Sequence, residues 1–178
     1  MAACAFLLVG ANTHAQRSCE QKVATSWEIT IAGPDEPGDR LVVEGIVTGS
    51  NGKPVEGAIV YVYHTDASGY YAPDHTSARL CGLMRTGADG RYRFRTIKPA
   101  SYPDSHIPAH VHYVVSGAHV SEQQFLLEFE GDSHLSKAAI DRDRAEHEGF
   151  DATYHGIRPL EKRDGVWYCR RDFRVATH

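Results

Sequence analysis

Two histidines one residue apart, His110 and His112, sit in the run Pro108-Ala-His-Val-His-Tyr113. Pro108 has no amide hydrogen to give to a ladder and suits a strand start, and Ala109-His-Val-His-Tyr-Val-Val115 then alternates β-branched and aromatic side chains. Residues two apart in a strand share a face, so His110 and His112 project together while Val111, Tyr113 and Val115 turn the other way. Two imidazoles side by side are a ready pair of nitrogen ligands, and the chemistry this spacing offers is a metal site. The same stretch adds a Tyr102-Pro103 turn. The pair does not decide the matter alone: the chain has 11 histidines, and H-x-H on a strand arises by chance. A zinc hydrolase built on the pair would also need an acid or a third imidazole, for which Asp104 and His106 are at hand.

The elements that must carry this pair read as strands. Trp27 to Ile31, Arg40 to Thr48, Gly57 to His64, Arg91 to Ile97, Gln124 to Phe129 and Val166 to Val175 are β-rich runs closed by Gly, Asp, Asn and Pro turns. Arg91-Tyr-Arg-Phe-Arg-Thr-Ile97 alternates cleanly, which points Tyr92 and Phe94 inward and leaves the arginines in water. Tyr70 to Gly82 has no sustained period and reads as a long loop, and Ser136 to Ala145 is the one convincing helical stretch. About eight short strands predict an all-β, antiparallel, prealbumin-like β-sandwich with long loops and one short helix.

With 178 residues the chain suits one domain with a real core, and a net charge of −4 with no basic cluster argues against a nucleic-acid partner. Ala2 to Ala11 is a short apolar run followed by Thr13-x-Ala15, so residues 1–15 read as a secretory leader too short to span a bilayer, with 16–178 as the mature domain. No positive charge precedes the run, so a buried amino-terminal strand is the competing reading. The expected location is secreted or periplasmic, with no membrane association once the leader is removed. Cys4 would leave with it, and two of Cys19, Cys81 and Cys169 could pair in an oxidising compartment; the competing reading is three reduced, buried thiols.

Taken in order, Gly57-Ala, Asp66-Ala-Ser-Gly-Tyr-Tyr71, Asp89-Gly-Arg-Tyr-Arg-Phe94, Tyr102-Pro103, Pro108-Ala-His-Val-His-Tyr113 and Phe129-Glu-Gly-Asp132 resemble the intradiol ring-cleavage dioxygenases, the protocatechuate and catechol 1,2-dioxygenase family. The resemblance is close over roughly residues 39–132, and its specific part is the Tyr-Pro and Pro-Ala-His-x-His block. It implies a non-haem Fe(III) ion held between the two sheets by Tyr71, Tyr102, His110 and His112. Tyr102 and His112 would be axial, and Tyr71 and His110 equatorial. Tyr70 would replace Tyr71 if the register slips by one.

Such a ligand set suits hard, highly charged ferric iron, which stabilises a phenolate that would otherwise keep its proton up to a pKa of about 10. The implied reaction binds a catechol-type substrate, with Tyr102 as a displaceable base, and uses O2 to open the ring between its two hydroxyl-bearing carbons, giving a muconate-type diacid. Three positions depart from the family pattern: Ile107 stands where an Arg precedes the Pro-Ala-His block, Leu126 replaces a Gln, and Leu83 replaces the Arg of a Gly-Arg pair. A pocket bordered by these three apolar residues suits an uncharged catechol over an aromatic acid. The alternative is a transthyretin-like or carbohydrate-binding sandwich that keeps the scaffold without dioxygenase activity. Oligomer formation is open on either reading.

Overall fold

The alternation in Arg91–Ile97 is realised in the structure: Tyr92 and Phe94 are buried, and Arg91 and Arg95 are exposed. The structure, a computed structural model, describes residues 24–72, 78–146 and 155–178. The expected leader and Cys4, Cys19 and His75 lie outside those residues.

Two sheets face each other. One runs β1 (Glu28–Thr30), β5 (Arg91–Ile97), β2 (Arg40–Gly49), β10 (Val166–Arg170), β9 (Glu161–Arg163), with β11 (Phe173–Val175) also on β2. The other runs β4 (Leu80–Arg85), β3 (Ile59–His64), β6 (His110–Gly117), β7 (Val120–Phe129), β8 (Ile157–Arg158). Between them lie Leu41, Val43, Val47, Tyr92 and Phe94 from one side and Val60, Val62, Met84, Val111, Tyr113, Val115, Leu127 and Phe129 from the other. Each fully buried aliphatic or aromatic side chain there stabilises the fold by about 1.5–3 kcal/mol.

The all-β sandwich is as expected, and its ladders β2/β5, β3/β4, β3/β6 and β6/β7 are antiparallel. Other pairings are not. β1 on β5, β10 and β11 on β2, and β8 on β7 pair in parallel, so both sheets are mixed. Two boundaries also differ from expectation. The loop read over Tyr70 to Gly82 ends earlier, because Leu80 already pairs with His64 and opens β4. The single strand read over Val166 to Val175 is two, broken at Arg171-Asp172: the Arg171 amide donates to the Glu44 carbonyl at 3.0 Å, the Tyr92 hydroxyl donates to the Arg171 carbonyl at 2.5 Å, and Asp172 Oδ1 accepts the Ile46 amide at 2.9 Å.

Helix α1 (Lys137–Glu146) starts behind Ser136, whose hydroxyl accepts the Ala139 amide at 3.1 Å. Buried Asp143 fastens it to β8 by accepting the Ile157 amide at 3.0 Å and Arg158 Nη1 at 2.7 Å. Among the described residues no helix is long and apolar enough to cross a membrane.

Candidate metal centre

Because Val111, Tyr113 and Val115 fill the space between the sheets, the period of two sends His110 and His112 to the outer face of the five-stranded sheet. The expected position between the sheets is therefore corrected: the site lies on that outer face. Ladder pairing sets its rows there. Tyr63 lies between Cys81 and His112, His112 faces Leu126, and His110 faces Glu128. Tyr61, Tyr63, Cys81 and Val114, with Tyr71 and Leu83 against them, form a second apolar cluster on this face.

Two loops close over the row. In the first, Asp66 Oδ1 accepts the amides of Ser68 and Tyr70 at 2.8 and 3.2 Å, and the Asp66 amide donates to the Tyr70 carbonyl at 2.8 Å, a tight turn that presents Tyr71. The second carries Tyr102 and is tied to the first by Thr65 Oγ1 donating to the Ala100 carbonyl at 2.6 Å and the Ala100 amide donating to the Asp66 carbonyl at 3.1 Å. Asp132, which ends the Phe-Glu-Gly-Asp block, accepts the Ala109 amide at 3.0 Å and so fixes the start of the histidine strand.

The four tips converge. The Tyr71 and Tyr102 hydroxyls are in hydrogen-bond contact, Tyr71 Oη lies 3.0 Å from His112 Nε2, Tyr102 Oη lies 3.1 Å from His110 Nε2, and the two Nε2 atoms are 2.9 Å apart. Donors held about 2.0–2.1 Å from one ion at right angles to each other sit about 2.9 Å apart, so this donor set fits a single metal ion. His110 Nδ1–H donates to the Pro108 carbonyl at 2.7 Å, which leaves the lone pair on Nε2, the atom aimed at the centre. Burial, and then the neighbouring His110, push the His112 imidazole down to about 3; burial lowers His110 as well, partly opposed by its bond to Pro108. Both rings are thus neutral near pH 7, as nitrogen ligands must be.

Tyr70 is 39% exposed, and it is Tyr71 whose hydroxyl reaches the tips. A cavity of about 390 Å³ opens here, lined among the described residues by Gly69, Tyr70, Tyr71, Tyr102, Pro103 and Asp104. Leu126 lies deeper, beside His112; Leu83 faces Tyr61 one row away; Ile107 is 49% exposed on the loop before Pro108. Among the described residues no three His, Cys, Asp or Glu side chains cluster as metal ligands, so neither Asp104 nor His106 completes a zinc site with the pair. Two neighbours were not foreseen: Tyr63 stacks on His112, and buried Glu128 flanks His110; Asp104, named for the zinc alternative, lines the cavity. The Tyr63 and Glu128 positions follow once β3, β6 and β7 are set in register, a pairing that strand patterns alone do not give.

The family model described as Dioxygenase matches residues 11–148. The chain belongs to the intradiol dioxygenase family. Catechol 1,2-dioxygenase 1 of Acinetobacter lwoffii is 38% identical over 120 residues, which is 56% of this chain and 39% of that protein. The protocatechuate 3,4-dioxygenase beta chain of Burkholderia cepacia is 38% identical over 93 residues, 45% of this chain and 40% of that one. This intradiol dioxygenase chain thus spans about two-fifths of the length of these curated relatives. Among solved structures, the dioxygenase domain of a dioxygenase and carbohydrate-binding protein fusion from Streptomyces sp. SirexAA-E aligns with a TM-score of 0.64 at 23% identity, covering 84% of this chain and 87% of that one. Acinetobacter radioresistens catechol 1,2 dioxygenase aligns at 0.69 with 19% identity, covering 90% and 60%. These likenesses place the fold.

Proposed function

We propose that this chain is a secreted or periplasmic Fe(III) intradiol dioxygenase acting on an uncharged catechol-type substrate with O2. The observation that carries the proposal is the convergence of Tyr71 Oη, Tyr102 Oη, His110 Nε2 and His112 Nε2 on one point. Ferric iron held there would supply Lewis-acid chemistry for the reaction of a catechol with dioxygen.

The chain's own residues divide the remaining work. Tyr71, Tyr102, His110 and His112 would hold the ion, and the Pro108 carbonyl keeps His110 in the tautomer that presents Nε2 to it. Tyr102, which also lines the cavity, is placed to take up a substrate proton at its Oη. Leu126 and Val114 beside His112 keep water from the inner side of the site. Cys81 is disulfide-bonded, which suits an oxidising compartment, while Cys169 is a buried free thiol.

The test is oxygen uptake by the iron-loaded protein with catechol, coupled to product mass. A product heavier than catechol by one dioxygen supports the proposal. An iron-loaded protein that leaves catechol intact contradicts it and returns the sandwich to a binding role.

A further inference from the structure

The two imidazoles are held by different means. His110 is fixed by its hydrogen bond to the Pro108 carbonyl, whereas His112 lies face to face with Tyr63, ring centroids 4.4 Å apart and planes 4° from parallel. The His112 contacts through Nε2 go to Tyr71 and His110, both members of the proposed ligand set. Rotation of an imidazole about its last torsion is broad and two-fold, so some outside group must set the ring plane if Nε2 is to stay aimed.

Tyr63 is placed to do that. It is buried and directly opposite His112 in the β3/β6 ladder. The same ring leans on Tyr71, with centroids 5.9 Å apart at 48°. One side chain on a rigid strand thus touches two of the four donors, one from the sheet and one from the loop above it.

We infer that Tyr63 is a positioning residue, its ring setting the plane of His112 and bracing Tyr71 so that their donor atoms meet at one point. The inference rests on the reading of His112 and Tyr71 as ligands. It assigns Tyr63 no contact with substrate. The ring carries the effect, because a flat face is what an imidazole can stack on.

The experiment follows His112 in the metal-free protein by proton and carbon NMR of labelled histidine, and then measures iron uptake. The variants are Tyr63→Phe, Tyr63→Met and Tyr63→Leu, with Tyr61→Met as a control from the same apolar cluster. In the wild type the His112 ring protons are shifted upfield by the Tyr63 ring. Phe keeps that shift; Met and Leu lose it and weaken iron binding by about tenfold to a hundredfold. Tyr61→Met, although destabilising, leaves both unchanged. Wild-type iron affinity in a folded Met or Leu variant overturns the inference, as does a wild-type His112 with no ring-current shift, for which no variant need fold. A wild type that shows the shift yet takes up no iron at all overturns the ligand reading, and with it the role given to Tyr63.

Discussion

Gly69 meets the Ser101 carbonyl at the point where the two site loops touch: a Cβ built on Gly69 would lie 2.1 Å from that oxygen and 2.9 Å from Pro103 Cδ. Its φ of +86° is in the left-handed region that glycine alone adopts freely. Gly69→Ala therefore forces the Tyr71 and Tyr102 loops apart. The expected outcome is a loss of more than about 1 kcal/mol in chemical denaturation together with loss of iron binding at the two phenols. A fully stable variant with unchanged iron uptake would contradict this account of the loops.

The opposite face of the histidine strand makes a contrasting prediction. Val111 is fully buried between the sheets, one residue from each site histidine. Val111→Ala should cost about 2 kcal/mol of stability through lost burial and a small cavity, measured by urea unfolding, while metal stoichiometry stays at the wild-type value. His112→Ala should do the reverse, sparing most of the stability and losing the metal.

How far the sequence could be read depended on which residues decide each feature. Arg91–Ile97 and His110–Val115 were legible because one face of each is packed and alternation marks it. Leu80–Arg85 was not: nearly every position of β4 is buried on one face or the other, so Leu-Cys-Gly-Leu-Met shows no period. The parallel pairings were hidden for another reason. Phe173–Val175 pairs with Val47–Gly49 across most of the chain, and no local pattern records such a partner. At the site, the type and spacing of His110 and His112 were visible locally, and the two tyrosines came through the family resemblance. The stack of Tyr63 and the nearness of Glu128 depend on cross-strand register, which is a property of three strands together.

Acid should weaken the fold through His64. This ring is fully buried between the Thr65 carbonyl, 2.7 Å from Nδ1, and Thr96 Oγ1, 2.8 Å from Nε2, and burial pushes its pKa from 6.5 down to about 4. Between those values the unfolded chain binds a proton that the folded chain refuses. Stability is therefore full above pH about 6.5 and declines as the pH falls towards 4, by on the order of 3 kcal/mol. Urea unfolding at pH 7 and pH 4.5 checks this, and His64→Gln should flatten the difference. An unchanged slope in that variant would contradict the assignment.

Substrate preference follows from the charge of the cavity. Among its described lining residues the charged one is acidic Asp104, and Ile107 stands where the resemblance implies an arginine. Steady-state oxygen uptake should be faster with catechol than with protocatechuate. Ile107→Arg should narrow the gap by up to about fivefold, the scale of an exposed ion pair. Faster turnover of protocatechuate by the wild type would contradict the uncharged-substrate reading.

The most direct test of the central claim is iron analysis of the purified protein together with its visible spectrum, for wild type, Tyr71→Phe and Tyr102→Phe. The account predicts one iron per chain, a coloured wild type from phenolate bound to ferric iron, a changed spectrum in each single variant, and a further change when catechol is added. A colourless protein that takes up no iron, or phenylalanine variants with the wild-type spectrum, would contradict it.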